Sequence, residues 1–368
     1  MCSSDLIVDL HGLPGNIGIH CRILRDAQLR RAMIEAARSI EASAYETDTE
    51  AGDLVAEAQL HVRQAADSAF SAKTTGAREA VAAWSEHIER LRESPDGVTG
   101  IRSGIDALDR HTTGAQPGWL VVICAHSEMG KTAFALNNYG LNCLKSGKDL
   151  LVVSYEMSVK GLGGRLIAAW SGVPSHIQRS TAISADDARK YQTAKTKVEE
   201  LPFHFIDAPL PDARAAAMRL PNLGAIIVDY LQLAPPIRSG RGVTREQELA
   251  SVSRYCKREL ARGLGVPVFL LSQPDKASST QLPSGEWPRL TPSSSKGAQA
   301  TQADADLMLF PRRPFKDSPD VDKRNKAEVN DGKDRHNGGR LFTGLRWNGA
   351  RMRYEEHGAS GLVQDRWQ

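Results

Sequence analysis

Cysteine is scarce in this chain of 368 residues. There are five (Cys2, Cys21, Cys124, Cys143 and Cys256), odd in number, scattered, and never in a Cys-x-x-Cys pair. That excludes a disulfide framework and a clustered zinc site, and suits a reducing, cytoplasmic location. Charge of one sign is also lacking. The 47 Lys and Arg against 44 Asp and Glu leave a net charge of +3, so no global basic field points to nucleic acid. Any such site has to be a local patch. No apolar run approaches the roughly 20 residues of a membrane-spanning helix, which argues against a membrane partner. The N-terminus has no basic region followed by an apolar stretch, so no signal peptide is expected. Repeats and low-complexity tracts are absent.

What is present is an ordinary globular composition, 41% hydrophobic and 25% charged, with enough length for about two domains. Met1-Cys-Ser-Ser-Asp-Leu6 reads like translated sequencing-adapter sequence, and residues 1–15 are expected to be a disordered or non-native leader. Residues 16–75 are rich in Ala, Arg and Glu and read as a small, partial all-α domain. Ile23, Leu29, Met33, Ile34, Ala37 and Ile40 recur at helical spacing, and a second helix is expected near Leu54–Phe70. A linker, 76–96, contains a third helix at about Ala77–Arg92 with a narrow stripe of Val81, Trp84, Ile88 and Leu91. That stripe has two possible partners, the chain's own larger domain or a neighbouring subunit.

From residue 97 to 368 the pattern changes to short apolar runs alternating with helical stretches. The runs are Leu120–Cys124, Leu150–Ser154, Phe203–Ile206, Ala225–Asp229, Val266–Ser272 and Leu307–Phe310. Alternation of this kind implies an α/β fold with a mostly parallel sheet and chemistry at the carboxyl ends of the strands. Two polar loops, Pro235–Thr244 and Pro274–Lys296, interrupt it.

The first run leads into Ala125-His-Ser-Glu-Met-Gly-Lys-Thr132 and then a helix-forming segment. Strand, tight loop and helix are the context of a phosphate-binding P-loop. Ser127, Glu128, Met129, Gly130, Lys131, Thr132 and Ala133 would surround the phosphates of ATP with backbone N–H groups and a helix N-terminus. Lys131 would reach the β- and γ-phosphates, and Thr132 would hold Mg²⁺. Ala125 stands where the simple pattern has a glycine, so the loop has to turn without positive φ there.

Hydrolysis needs more than a phosphate cradle. Ala225-Ile-Ile-Val-Asp229 ends in a carboxylate suited to Mg²⁺ as a second metal ligand beside Thr132. Leu150-Leu-Val-Val-Ser-Tyr-Glu156 delivers Glu156 one element after the P-loop helix, where it can polarise the attacking water. Val266-Pro-Val-Phe-Leu-Leu-Ser-Gln273 ends in Gln273, a neutral group suited to sensing the γ-phosphate.

Taken together, these residues carry a resemblance. Gly97-Val-Thr-Gly-Ile-Arg102, Thr112-Thr-Gly-Ala-Gln-Pro-Gly118, Met129-Gly-Lys-Thr-Ala-Phe134, Ser154-Tyr-Glu-Met-Ser158, Val228-Asp-Tyr-Leu-Gln-Leu233 and Leu271-Ser-Gln273 occur in order. The set resembles the RecA-like motor domain of DnaB-type replicative DNA helicases over about residues 97–355. The region from Ile23 to Ala37 resembles the second half of that family's helical N-terminal domain. The resemblance implies a homohexameric ring moving 5′ to 3′ on single-stranded DNA, with ATP hydrolysed at subunit interfaces and with a primase and a helicase loader as partners. It implies Glu156 as catalytic base and Gln273 as the link between nucleotide and DNA loops. Gly332-Lys-Asp-Arg-His-Asn-Gly338 is similar to the family's Lys-x-Arg element, which would send Lys333 and Arg335 to the γ-phosphate of the neighbouring subunit. Without the family order, the same run would read as a solvated turn.

Two differences from the family bear on its sites. Asn330 and Asp331 stand where the strand before that Lys is usually apolar. The stretch Ser295–Asp306 lacks the Arg-Glu-Ser-Gly used on the DNA backbone, leaving Lys296 and Gly297 as the phosphate-contacting candidates. Arg245, with Arg238 and Arg241, is a further candidate from the Pro235 loop, although such loops are usually just solvated. Copies around a ring would build an electrostatic funnel from few cations per chain, without base readout. Two other readings stay open: another RecA-fold DNA-dependent ATPase, of recombination or branch migration, and a nucleotide-gated DNA-binding module.

Overall fold

Leu120–Cys124 (β1) is buried at every position, and alternate residues serve opposite layers. Val121 and Ile123 enter one apolar cluster, whereas Leu120, Val122 and Cys124 enter another. The same alternation holds in Asp149–Ser154 (β2), Leu223–Asp229 (β4), Val268–Ser272 (β5) and Leu307–Arg312 (β6). A sheet covered on both faces needs continuous apolar runs, which is how these strands read in sequence. Each fully buried Val, Leu, Ile or Phe side chain contributes about 1.5–3 kcal/mol, so the two clusters dominate the stability of this part.

The computed structural model describes residues 17–45, 54–55, 57–58, 61–62, 76–237, 242–275, 278, 280–295, 298–336 and 340–356. The chain divides into two compact units, Met1–Ile88 and Glu89–Gln368. In the first, the expected helix around Ile23–Ile40 spans Ile17–Ala44, with Ala36 buried. The helix expected near Leu54–Phe70 lies largely outside the described residues, as does the leader. The third helix runs Ala77–Glu93 and buries none of its side chains; Val81 and Trp84 are 64% and 63% exposed.

Among the described residues, nine strands form one sheet in the order β3-β2-β4-β5-β1-β6-β7-β8-β9, β3 being Phe203–Ile206. The first six in this order are parallel. Lys326–Asp334 (β7), Phe342–Asn348 (β8) and Arg353–Glu356 (β9) then add an antiparallel meander that the apolar runs did not announce. Lys131–Ala133 continues through a π-helical stretch, Phe134–Gly140, into Leu141–Lys145. Here Phe134 and Tyr139 pack edge to face, and Tyr354 of β9 meets Phe134 at 5.4 Å. The opening motifs pair with each other: Ile101 bridges Ala115, and the amides of Thr99 and Gly100 donate to the Thr113 carbonyl. No helix of the described residues is long and apolar enough to cross a membrane.

Candidate nucleotide site at the strand ends

The P-loop follows the end of β1, and its backbone answers the problem posed by Ala125. Ala125 is fully buried and has no positive φ. The left-handed turns fall instead at Glu128 (φ 61°) and Gly130 (φ 90°). At Gly130 a side chain is excluded twice, by that φ and by Trp347 of β8, whose ring lies 3.0 Å from where a Cβ would stand. The loop is held from several directions. His126 Nε2 lies 3.2 Å from the Pro288 carbonyl, and its ring packs against Trp287 at 5.1 Å. Glu128 pairs with Lys316 at 3.1 Å, and the buried hydroxyl of Tyr354 donates to the Met129 carbonyl at 2.5 Å. Burial pushes the Tyr354 phenol well above its ordinary range, so it stays a donor.

Three strand ends, those of β2, β4 and β5, lie on the same edge of the sheet as this loop. β2 and β4 run in register, Ser154 opposite Asp229, which places Glu156 just past β2 and next to the Asp229 carboxylate. Thr132 Oγ1 donates to Asp229 Oδ2 at 3.0 Å. Asp229 is completely buried, and burial raises its pKa to about 6, with the Glu156 charge adding to the shift. The Thr132 hydroxyl, Lys131 and Arg165 oppose that shift. Its second oxygen, Oδ1, is buried without a hydrogen-bond partner. A buried acceptor left open beside a threonine hydroxyl fits a hard cation that takes oxygen ligands, and Mg²⁺ is one. Burial lowers the pKa of Lys131, while the charges of Asp229 and Glu156 help hold its proton. Such an ammonium is stripped of water and aimed at anions.

β5 lies between β4 and β1, so Gln273 emerges between Asp229 and the P-loop. Its amide donates to Gln232 Oε1 at 3.2 Å, while Gln232 Nε2 donates to Ser272 Oγ at 3.1 Å. Gln232 thus clamps the strand end that carries Gln273. Ser272 Oγ also meets Ser295 Oγ at 3.0 Å, and Pro274 bridges Ser295. Lys296 and Gly297 themselves lie outside the described residues, as do Arg238 and Arg241. Arg245 is described and exposed; it pairs with Glu248 at 2.8 Å and donates to the Gln232 carbonyl at 2.6 Å.

Lys333 and Arg335 sit elsewhere. Lys333 is opposite Met308, and Met308 is level with Val122 of β1. The Arg335 amide donates to the Asp306 carbonyl, and the Asp306 amide to that of Leu120. Arg335 therefore lies level with the start of β1, whereas the P-loop lies past its end, about 17 Å along a five-residue strand. Within their own chain these cations contact the carbonyls of Gln302 and Ala303, and Arg335 also approaches Asp306 at 3.5 Å.

Some groups at the site had no sequence signal. Arg165, on the helix Val159–Ser171, feels the charges of Asp229 and Glu156 and keeps its proton despite burial. Its position within a helix, well past the end of β2, has no motif of its own. Gln232 was inside a quoted motif but without a role. Trp347 and Tyr354 arrive from the unannounced meander.

Comparison with known proteins agrees with this geometry. The family model described as DnaB-like helicase C terminal domain matches residues 100–356. The replicative DNA helicase DnaB of Geobacillus stearothermophilus is 29% identical over 330 residues, covering 88% of this chain and 71% of that one. Its counterpart in Treponema pallidum is 32% identical over 305 residues, covering 81% and 67%. Among solved structures, a DnaB-like replicative helicase studied for its interactions with primase superposes with a TM-score of 0.67 at 22% identity. That match covers 93% of this chain and 80% of the other, and it shows the shared fold.

Proposed function

The chain belongs to the DnaB-like helicase family and is an ATP-hydrolysing DNA helicase of DnaB type; on that premise we propose how its residues divide the work. It acts as a hexameric ring that moves 5′ to 3′ on single-stranded DNA, and each hydrolysis site is completed by two chains. The observation that carries this reading is the placement of Arg335 level with the start of β1 and of Lys333 level with its middle, while the P-loop lies past its end. Within one chain these cations stand back along the strands from the end that carries the P-loop, away from its own γ-phosphate. A neighbour's nucleotide is the target they can serve.

The backbone amides of Ser127 to Ala133 bind the phosphates, and Lys131 takes the β- and γ-oxygens. Thr132 and Asp229 would hold Mg²⁺, which when bound supplies charge neutralisation on the phosphate oxygens. Glu156 accepts the proton of the attacking water, and Arg165 places a positive charge near the Glu156 and Asp229 carboxylates. Arg335 and Lys333 of the adjacent copy offset charge developing in the transition state. Gln273 reads the state of the γ-phosphate. Its strand end is tied through Ser272 to Ser295, so movement there is passed to Lys296 and Gly297 on the DNA backbone. Arg245 is a weaker DNA contact, since its guanidinium is already engaged within the chain. Residues 76–96 link the helical N-terminal part to the motor, and a primase is the partner suggested by the related solved structure.

The test is mixing. Lys131→Ala and Arg335→Ala chains, each inactive alone, are combined and assayed for DNA-stimulated ATP turnover in the hexamer-sized fraction. Partial recovery is expected, because an intact P-loop of one variant then faces an intact Arg335 of the other. Strictly inactive mixtures, with hexamers present, would refute the two-chain site.

A further inference from the structure

The strand carrying Lys333 and Arg335 also holds two carboxylates that a buried strand has no packing reason to hold. The side chain of Asp331 is 1% exposed and that of Asp334 fully buried. Both face His111, on the helix Asp106–Thr112: Nε2 lies 3.0 Å from Asp331 Oδ2 and 3.8 Å from Asp334 Oδ2. The remaining Asp331 oxygen accepts the Leu341 amide at 2.9 Å, and Asp334 Oδ1 accepts that of His336 at 2.8 Å.

Backbone geometry explains why two residues three apart share a face. The register between β6 and β7 slips between Met308 and Leu309, which leaves Gly332 as the extra residue of a bulge. A Cβ there would lie 2.4 Å from the Phe310 ring and 2.8 Å from Pro292. The bulge turns Asp331 and Asp334 toward His111, while Lys333 and Arg335 reach the carbonyls of Gln302 and Ala303. Removing the imidazole would take from the buried Asp331 carboxylate the group it bonds, at the point where the strand bends.

We propose that His111 is a positioning residue for ATP hydrolysis: by holding Asp331 and Asp334 it fixes the bulged strand end from which Lys333 and Arg335 project. The role rests on the reading of those two cations as groups supplied to a neighbouring chain. It accounts for Asp331, at a position where the family's strand is usually apolar. A charge aimed at a transition state must be held closely, since displacement by about 1 Å can cost a hundredfold in rate.

The pair also has a pH signature. The hydrogen bond to Asp331 raises the pKa of His111 above its ordinary value, burial opposes it, and the charges of Asp331 and Asp334 reinforce it. On its own helix Asp106 is paired with Arg110, and Asp109 is bonded to Ser103 and Gly104. The charged groups acting on the imidazole are therefore the two β7 carboxylates. A histidine whose folded pKa is raised holds its partners fully below the unfolded value and releases them as pH rises through the folded one.

The experiment measures kcat and KM for ATP across pH 6 to 9 in hexamers of the wild type, His111→Gln, His111→Leu, His111→Leu/Asp331→Leu and Arg335→Ala. His111→Leu is expected to lower kcat about tenfold or more with KM within about twofold, as for a group that acts only in the transition state. His111→Gln keeps a donor that does not titrate. It should hold kcat within about threefold and lack the alkaline fall expected of the wild type. The double variant removes the imidazole together with its closer partner and leaves Asp334 bonded to the His336 amide, so it should recover part of kcat. Wild-type kcat in His111→Leu while Arg335→Ala is inactive would overturn the positioning role and leave the Arg335 reading standing. Wild-type kcat in Arg335→Ala would show instead that the Arg335 reading had failed. A rise in KM alongside the fall in kcat, without recovery in the double variant, would make His111 merely structural.

Discussion

Removing one oxygen atom from Tyr354 tests how the P-loop is held. Tyr354→Phe keeps the ring in its T-shaped contacts with Phe134 at 5.4 Å and Trp347 at 5.2 Å. Apolar burial is unchanged, and what goes is the hydroxyl donating to the Met129 carbonyl. Met129 is fully buried, so water cannot replace the donor. A typical hydrogen bond contributes about 1 kcal/mol, and stranding a buried acceptor costs up to about 3. The carbonyl has a second lone pair, which favours the lower part of that range, about 1–2 kcal/mol. For a unit of this size each kcal/mol lowers the Tm by about 2–4 °C. Thermal unfolding should therefore fall by about 2–8 °C. Local opening is the sharper readout, because the bond acts on the loop directly. Amides of residues 125–130 should exchange about 5–30 times faster, the equilibrium factor for 1–2 kcal/mol. Those of β2 and β3 should keep their protection. Unchanged exchange at 125–130 together with an unchanged Tm would refute the idea that β9 braces the loop.

Three further outcomes follow from named contacts. Glu156→Gln should bind an ATP analogue as the wild type does, since the loop and Lys131 are untouched, while turnover falls by about 10²–10⁴ in single-turnover kinetics; lost binding would make Glu156 a structural residue. Gly332→Ala puts a methyl group into the Phe310 ring and Pro292, which overpacking values place at about 1–3 kcal/mol in denaturant unfolding; wild-type stability would show that the bulge can open. Asp306→Ala removes the partner of Lys257 at 2.5 Å and of the Leu120 amide at 2.7 Å, both buried. The loss should be about 3–5 kcal/mol, as for a buried pair broken on one side, and a loss under 1 kcal/mol would place Lys257 in water instead.

The parallel half of the sheet was legible because both its faces are covered. Such strands must be apolar throughout, and Leu120–Cys124 or Ala225–Asp229 stand out from any polar surroundings. The meander did not stand out for the opposite reason. β7 reads Lys-Ala-Glu-Val-Asn-Asp-Gly-Lys-Asp, and two of its acidic residues draw their cationic partners from far along the chain: Glu328 from Arg289 and Arg312, Asp331 from His111. No local pattern encodes a pairing across 220 positions. Tyr354 and Trp347 were missed with it, although both touch the P-loop. Arg165 was missed because a helix turns one of many arginines toward the carboxylates, and composition does not say which.

The same contrast separates the parts of the site. Lys131, Thr132, Glu156, Asp229 and Gln273 converge because each follows a strand, and parallel strands end on one edge of the sheet. Their convergence is a consequence of topology, and a sequence with recognisable strand ends displays it. Lys333 lies near the end of a strand that runs the other way and Arg335 follows it, so antiparallel pairing carries them away from the edge that holds the P-loop. One reversal of direction thus parts the cations from the phosphates of their own chain. A motor that needs hydrolysis to depend on its neighbours gains from that separation. If the site is completed by two chains, a chain able to supply its own Arg335 would turn over ATP without regard to the ring, whereas this arrangement would leave each P-loop incomplete until another copy arrives. On the same premise His111 would sharpen the dependence, since Arg335 would be offered from a strand end that His111 holds through Asp331 and Asp334. Monomeric protein should accordingly bind nucleotide but hydrolyse it slowly. Turnover per chain should rise steeply with concentration until rings are complete, and a rate per chain independent of concentration would contradict the separation.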